Sequence, residues 1–156
     1  MRSRRGAVAF LLAALAARAH AGTVIERVLA DLGGEPVLLS EVRLVEGLKR
    51  LDRGAALEAV LDQRLMYREA ARLPQAVLSA AEAQAACDDL ASKAPELAFD
   101  PALCALARRE AVVLKYIGLR FAVEERAAEG RSLDARIEEW VKDLRSAAAI
   151  RYNAGP

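Results

Sequence analysis

The sequence predicts a mainly α-helical domain: about five helices, a small N-terminal β-hairpin and a short C-terminal strand. Three observations point there. Ala, Leu, Val, Arg and Glu make up most of the chain, aromatic residues are only 4% of it, and strong helix formers dominate from Ser40 to Ala149. Helix start and stop signals recur through that stretch, with Pro or Gly at each break. The β signals, alternation, β-branched residues and a Gly-Gly pair, lie at the two ends.

The elements follow in order. Val24 to Leu32 alternates and is partly β-branched, Gly33-Gly34 accepts the positive φ of a tight turn, and Val37-Leu38-Leu39 returns as a second short strand. Ser40 is a candidate cap for a helix to about Leu51; Arg53-Gly54 interrupts it before a second helix from about Ala55 to Leu73, stopped by Pro74. Ser79 followed by Glu82 has capping-box spacing, in which hydroxyl and carboxylate each accept the other residue's backbone N–H, and it opens a helix to about Lys93 that Pro95 ends. Asp100 caps and Pro101 takes the first position of a long helix to Phe121, or on to Glu129 ahead of Gly130. The last helix begins near Ser132, gathers Leu133, Ile137, Trp140, Val141 and Leu144 on one face, and ends near Ala148. Ile150-Arg151-Tyr152 is short enough to pair on the hairpin's edge, and a hairpin alone would be marginal.

Residues 1–21 read as a cleavable secretory signal. Arg2, Arg4 and Arg5 precede an apolar run from Ala7 to Ala17, and small residues at Ala19 and Ala21 stand ahead of Gly22. The run is about half the roughly 20 residues a bilayer-spanning helix needs, so cleavage and release into the periplasm is the expectation and an uncleaved anchor the alternative. Cleavage removes four of the 23 basic residues and none of the 22 acidic ones, leaving a net charge of −3. A mildly acidic chain lacks the basic face that nucleic acid or an anionic membrane requires. His20, the only histidine, leaves with the signal, and most acid–base and metal chemistry loses its usual side chain. Residues 22–156 are expected to form one domain, long enough to bury roughly two thirds of the unfolded surface.

Within this frame, Glu26-Arg27-Val28-Leu29-Ala30 followed by Gly34-Glu35-Pro36-Val37-Leu38-Leu39-Ser40-Glu41-Val42 resembles the N-terminal segment of the SurA family of periplasmic chaperones, relatives of the parvulin-type foldases. Later blocks are similar and in the same order: Leu61 to Leu65 with Glu69-Ala70, Arg109-Glu110 to Lys115-Tyr116-Ile117, and Trp140-Val141-Lys142-Asp143-Leu144-Arg145 followed by Ile150-Arg151-Tyr152. The resemblance spans residues 24 to 152 and makes 132–152 the closing helix and strand of the domain. Asp31 stands where the family usually has an apolar strand residue, and Gly33 where Asn is common. Val123 to Arg131 joins the chaperone-like part directly to the closing helix, where the family carries its isomerase modules. The resemblance therefore implies a holding chaperone without prolyl isomerase activity.

Three groups of residues are candidates for function or cross-linking. In the second helix, Ala56, Ala59, Val60, Met66, Tyr67, Ala70 and Leu73 gather on one side, while Leu57, Leu61 and Leu65 form another stripe bordered by Arg64, Arg68 and Arg72. Two apolar faces need two neighbours: either the helix is central and both are packed inside the domain, or the stripe of Leu57, Leu61 and Leu65 is covered by a client or a second subunit. Glu110 falls inside the apolar stripe of Leu103, Leu106, Val113, Leu114, Ile117 and Phe121, where a carboxylate needs an ion pair with an arginine of another helix. Cys87 and Cys104 lie at similar heights of a helix hairpin, so an oxidising compartment would let them bond; two buried free thiols are the alternative. Two cysteines without histidine leave a tetrahedral metal site incomplete, and the pair is not a C-x-x-C motif.

The expectation is an exported, non-enzymatic, chaperone-like domain that binds unfolded or unassembled envelope and outer-membrane proteins, uses no cofactor or metal, and acts beside a separate isomerase or a second subunit. An assembly or structural subunit that binds one fixed partner or itself is the alternative.

Overall fold

The computed structural model describes residues 26–98, 100–124 and 132–153. The expected signal at 1–21, the start of the first strand at Val24 and Ile25, and the extension of the long helix to Glu129 lie outside the described residues.

Gly33 and Gly34 take φ values of +61° and +93°, where a side chain would be strained, and reverse strand β1 (Val28–Leu32) into β2 (Glu35–Leu38). The third strand, β3 (Ile150–Tyr152), pairs antiparallel on the other edge of β1, giving the order β2-β1-β3. Ala30, Leu32 and Val37 point inward and are fully buried. Asp31 faces the other way: its Oδ1 accepts the Gly34 N–H at 2.9 Å and pairs with Arg151 at 3.2 Å. The antiparallel register is irregular between Val28 and Ala30, ahead of the regular pairs Asp31↔Pro36 and Leu32↔Glu35.

Helix α1 (Leu39–Lys49) begins one residue before Ser40, and Leu38 at its cap offers no side-chain acceptor. Ser40 is thus a helical residue rather than the expected cap. Its N–H is accepted at 3.1 Å by Glu26 Oε1, a carboxylate from the segment before β1, and Ser40's bonds to that carboxylate hold the Glu26 pKa below its ordinary value. At the other end Arg50 adopts the left-handed conformation, φ +53°, and its N–H returns to the Glu46 carbonyl.

Helix α2 (Arg53–Ala70) starts two residues earlier than expected because Asp52 accepts the Ala55 N–H at 3.0 Å, placing Gly54 in the first turn. It stops at Ala70, short of Leu73, and a single 3₁₀ turn (Pro74–Ala76) follows. The capping box forms with both bonds, 3.2 Å from Glu82 N to Ser79 Oγ and 2.7 Å from Ser79 N to Glu82, and opens α3 (Ala80–Lys93). After a second 3₁₀ turn at Pro95–Leu97, Asp100 accepts the Ala102 N–H at 2.8 Å and α4 (Pro101–Glu124) begins. Ser132 caps α5 (Leu133–Ala147) by accepting the Ala135 N–H at 3.2 Å.

Helix α2 is the central element, packed against α1, α4 and α5. Its buried residues join those of β1, β2, α1 and α4 in the main core, whose fully buried members include Leu32, Val42, Leu61 and Leu103. A second cluster docks α5: the Trp140 ring stacks on Tyr116 at 5.3 Å between centroids and meets Phe121 edge-on at 6.1 Å. Of the face expected on α5, Trp140 is buried, while Leu133 is exposed. Arg145 fixes α5 to α2 through Asp62 and through Glu58 at 2.6 Å, and the bond to Asp62, then that to Glu58, raise its pKa against the opposing effect of burial. Cys87 and Cys104 form a disulfide between α3 and α4, with 4.8 Å between their Cα atoms. Among the described residues, no helix is long and apolar enough to cross a membrane.

Candidate functional site

The stripe of Leu57, Leu61 and Leu65 is not a surface. Leu61 is fully buried and Leu65 retains 5% of its accessible area; both belong to the main core, and Leu57 packs partly buried against it. Of the two alternatives, packing inside the domain holds and cover by a client does not, because each apolar face of the central helix α2 already has a neighbour within the chain. The arginines beside the stripe serve its edges: Arg68 donates to the Leu32 carbonyl and pairs with Glu35 at 3.1 Å, and Arg72 pairs with Glu69 at 3.1 Å.

Glu110 also departs from expectation. Its side chain is 31% exposed, and its partner is Lys49 of α1 at 3.1 Å, not an arginine and not in the core. Among the described residues, the buried carboxylate is Glu41.

Glu41 lies in the first turn of α1, where the helix N-terminus favours negative charge. Two guanidiniums from different helices converge on it. Arg64 of α2 reaches both carboxylate oxygens, through Nη2 and, at 3.4 Å, through Nε. Arg109 of α4 brings Nη2 to within 2.6 Å of Oε1. The three side chains are 11%, 16% and 21% exposed for Glu41, Arg64 and Arg109. Arg64 Nη1 also donates to the Pro36 carbonyl at 3.0 Å, tying the triad to β2. Arg109 Nε is buried with no hydrogen-bond partner among the described residues. Two cations against one anion leave the cluster net positive.

The triad forms the floor of a groove of about 550 Å³ between the start of α1, α2 and α4. Leu38, the Tyr67 side chain, Ala102, Ala105 and Val112 make its walls. Ala102 and Ala105 supply the depth, because any larger side chain on that stretch of α4 would fill the space. Arg108 stands exposed at the rim and makes no ion pair with any described residue. This volume lies within the range of sites that bind small molecules or a few side chains. Both Glu41 oxygens already accept from guanidiniums, so the groove offers apolar contact and N–H donors rather than a free base.

A second concavity of about 490 Å³ opens between α1, α2, α4 and α5, lined by Ala59, Met66, Val113, Leu114, Ile117 and Ile137, with Lys49, Asp62, Gln63 and Glu110 among them. Leu114, on its rim, is exposed. Among the described residues, no group of three or more His, Cys, Asp or Glu side chains comes together in a way that could hold a metal ion.

Sequence reasoning missed both the triad and the groove. The pairs Glu41–Arg64 and Glu41–Arg109 join positions on three different helices, and no local spacing announces them. The available hint was Arg64 bordering an apolar stripe, since an arginine beside buried leucines needs an anion nearby. No family model matches the chain, and neither a curated protein nor a solved structure matches it either.

Proposed function

We propose that this chain is an exported, SurA-like holding chaperone that grips extended segments of unfolded envelope polypeptides in the groove between α1, α2 and α4, and releases them without bond chemistry. The observation that carries this reading is the groove itself: apolar walls from Leu38, Tyr67, Ala102, Ala105 and Val112 over a floor of guanidinium N–H donors. Apolar walls favour side chains of any sequence, and floor donors suit the backbone carbonyls that every extended segment presents. A small open site gives modest affinity, on the order of micromolar and about −8 kcal/mol, which permits release without nucleotide hydrolysis.

The test is suppression of aggregation. Stoichiometric amounts of the purified chain are added to several unrelated proteins diluted from denaturant, and light scattering is followed. Suppression is expected for all of them, and loss of it with Ala105→Trp, which fills the groove from an exposed position of α4 and leaves the core untouched. A complex with one partner and no general suppression would instead make the chain an assembly subunit. Prolyl-peptide isomerisation in the same preparation is expected at background rate.

A further inference from the structure

We infer that the groove selects segments in which an acidic side chain is flanked by apolar ones, and that Arg108 is the residue that meets the carboxylate. The inference rests on the groove being a polypeptide site and specifies its preferred sequence. Charge complementarity carries it. Three guanidiniums line the groove against one carboxylate, and that carboxylate is consumed by Arg64 and Arg109. Arg108 alone of the three has no ion-pair partner among the described residues, and it is exposed.

Its place on α4 adds an order. Ala105 precedes Arg108 by three residues and Val112 follows it by four, the spacings that put side chains on one helical face, and all three line the groove. The wall therefore reads apolar, cationic, apolar along α4. A client segment matches it with an acidic residue between apolar neighbours, whose side chains reach Ala105, Val112 and Leu38. The floor strengthens the preference, because Arg64 and Arg109 leave a net positive field that Glu41 only partly cancels. A polyanion such as nucleic acid fits poorly: one uncommitted cation and apolar walls offer too few phosphate contacts.

The test uses matched short apolar peptides, acetylated and amidated, that differ only in carrying Glu or Gln at the centre. Their binding to the purified chain is measured by fluorescence anisotropy. The Glu peptide is expected to bind about threefold to tenfold more tightly at low salt, the range of a partly exposed guanidinium–carboxylate contact, with the difference shrinking as salt rises. Arg108→Gln should abolish the difference in affinity between the Glu and Gln peptides, while Arg108→Lys retains part of the preference; a difference that persists in Arg108→Gln overturns the assignment to Arg108. Equal binding of both peptides to the unaltered chain overturns the carboxylate preference but leaves the groove as a polypeptide site. Binding of neither removes the groove reading itself. A third peptide, with Gln at the centre and a free C-terminal carboxylate, separates the sources: if only this one gains affinity, the groove reads chain ends and the inference about acidic side chains is wrong.

Discussion

Replacing Glu41 by alanine is the most informative single perturbation of the fold. The substitution strips Arg64 and Arg109 of their shared carboxylate while both guanidiniums remain mostly buried, at 16% and 21% exposure. Removing one partner of a buried ion pair typically costs ~3–5 kcal/mol because the other charge is left uncompensated. Two features of the structure place the loss near the lower end. Arg64 keeps its bond to the Pro36 carbonyl, and neither guanidinium is fully closed off from water. We therefore expect a loss of ~3 kcal/mol, a large share of the roughly 5–15 kcal/mol that stabilises a domain. At about 3–5 °C per kcal/mol for a domain of this size, Tm falls by roughly 10–15 °C. Urea unfolding followed by far-UV circular dichroism gives the free energy, and an unchanged m-value shows that the unfolded state is the same. Combining Glu41→Leu with Arg64→Met and Arg109→Leu should recover much of the loss, since apolar residues of similar size carry no desolvation penalty. A loss below about 1 kcal/mol for Glu41→Ala, or no recovery in the triple variant, would refute the picture of a buried triad held by mutual compensation.

Other consequences can be checked on the same instruments. Leu61→Ala removes a fully buried core side chain and should cost ~2–5 kcal/mol in urea unfolding, whereas a cost near zero would return the residue to the surface. Reducing the Cys87–Cys104 bridge reopens a loop with a sequence separation of 17 and should lower stability by ~3 kcal/mol, seen as a shift in the urea midpoint with and without reductant; an unchanged midpoint would contradict it. Glu82 is held at a pKa of about 2, first by the Lys115 ammonium at 2.9 Å and then by the Ser79 N–H and hydroxyl, against an ordinary value of 4.5. The unfolded chain therefore takes up that proton first as pH falls: the contribution is present above pH 4.5 and is lost between 4.5 and about 2. Glu82→Gln should flatten the acid limb of the stability curve in that window, and an unaltered limb would count against the contact.

What the sequence announced was local. The Ser79–Glu82 box, the Asp100-Pro101 start and the beginning of the last helix near Ser132 each depend on residues within one turn, and each lies where it was read. The Gly33-Gly34 turn is legible for the same reason, and β3 could be placed because a short β-branched segment had one edge to join. Contacts between distant segments were not legible. Ser40 looked like a cap because nothing nearby revealed that Glu26, fourteen residues earlier, would accept its N–H. Periodicity put Glu110 on an apolar stripe, yet that stripe is exposed in part, as Leu114 shows, and Glu110 meets Lys49 there. The two apolar faces of α2 were visible, but which neighbours would cover them was not: Leu61 and Leu65 went to the core and Leu57 packs against it. The groove escaped altogether, because its depth comes from two alanines, Ala102 and Ala105, that read as ordinary helix formers in an alanine-rich chain.

A polypeptide held in the groove between α1, α2 and α4 would perturb the backbone amides that line it. Amide NMR spectra of the isotopically labelled chain, recorded with and without an unfolded envelope protein, test it most directly. Shifts are expected to concentrate at Leu38, Ser40, Tyr67, Ala105, Arg108 and Val112, and to be absent in Ala105→Trp. Shifts confined to the second concavity around Leu114 and Ile137, or none at saturating client, would contradict it.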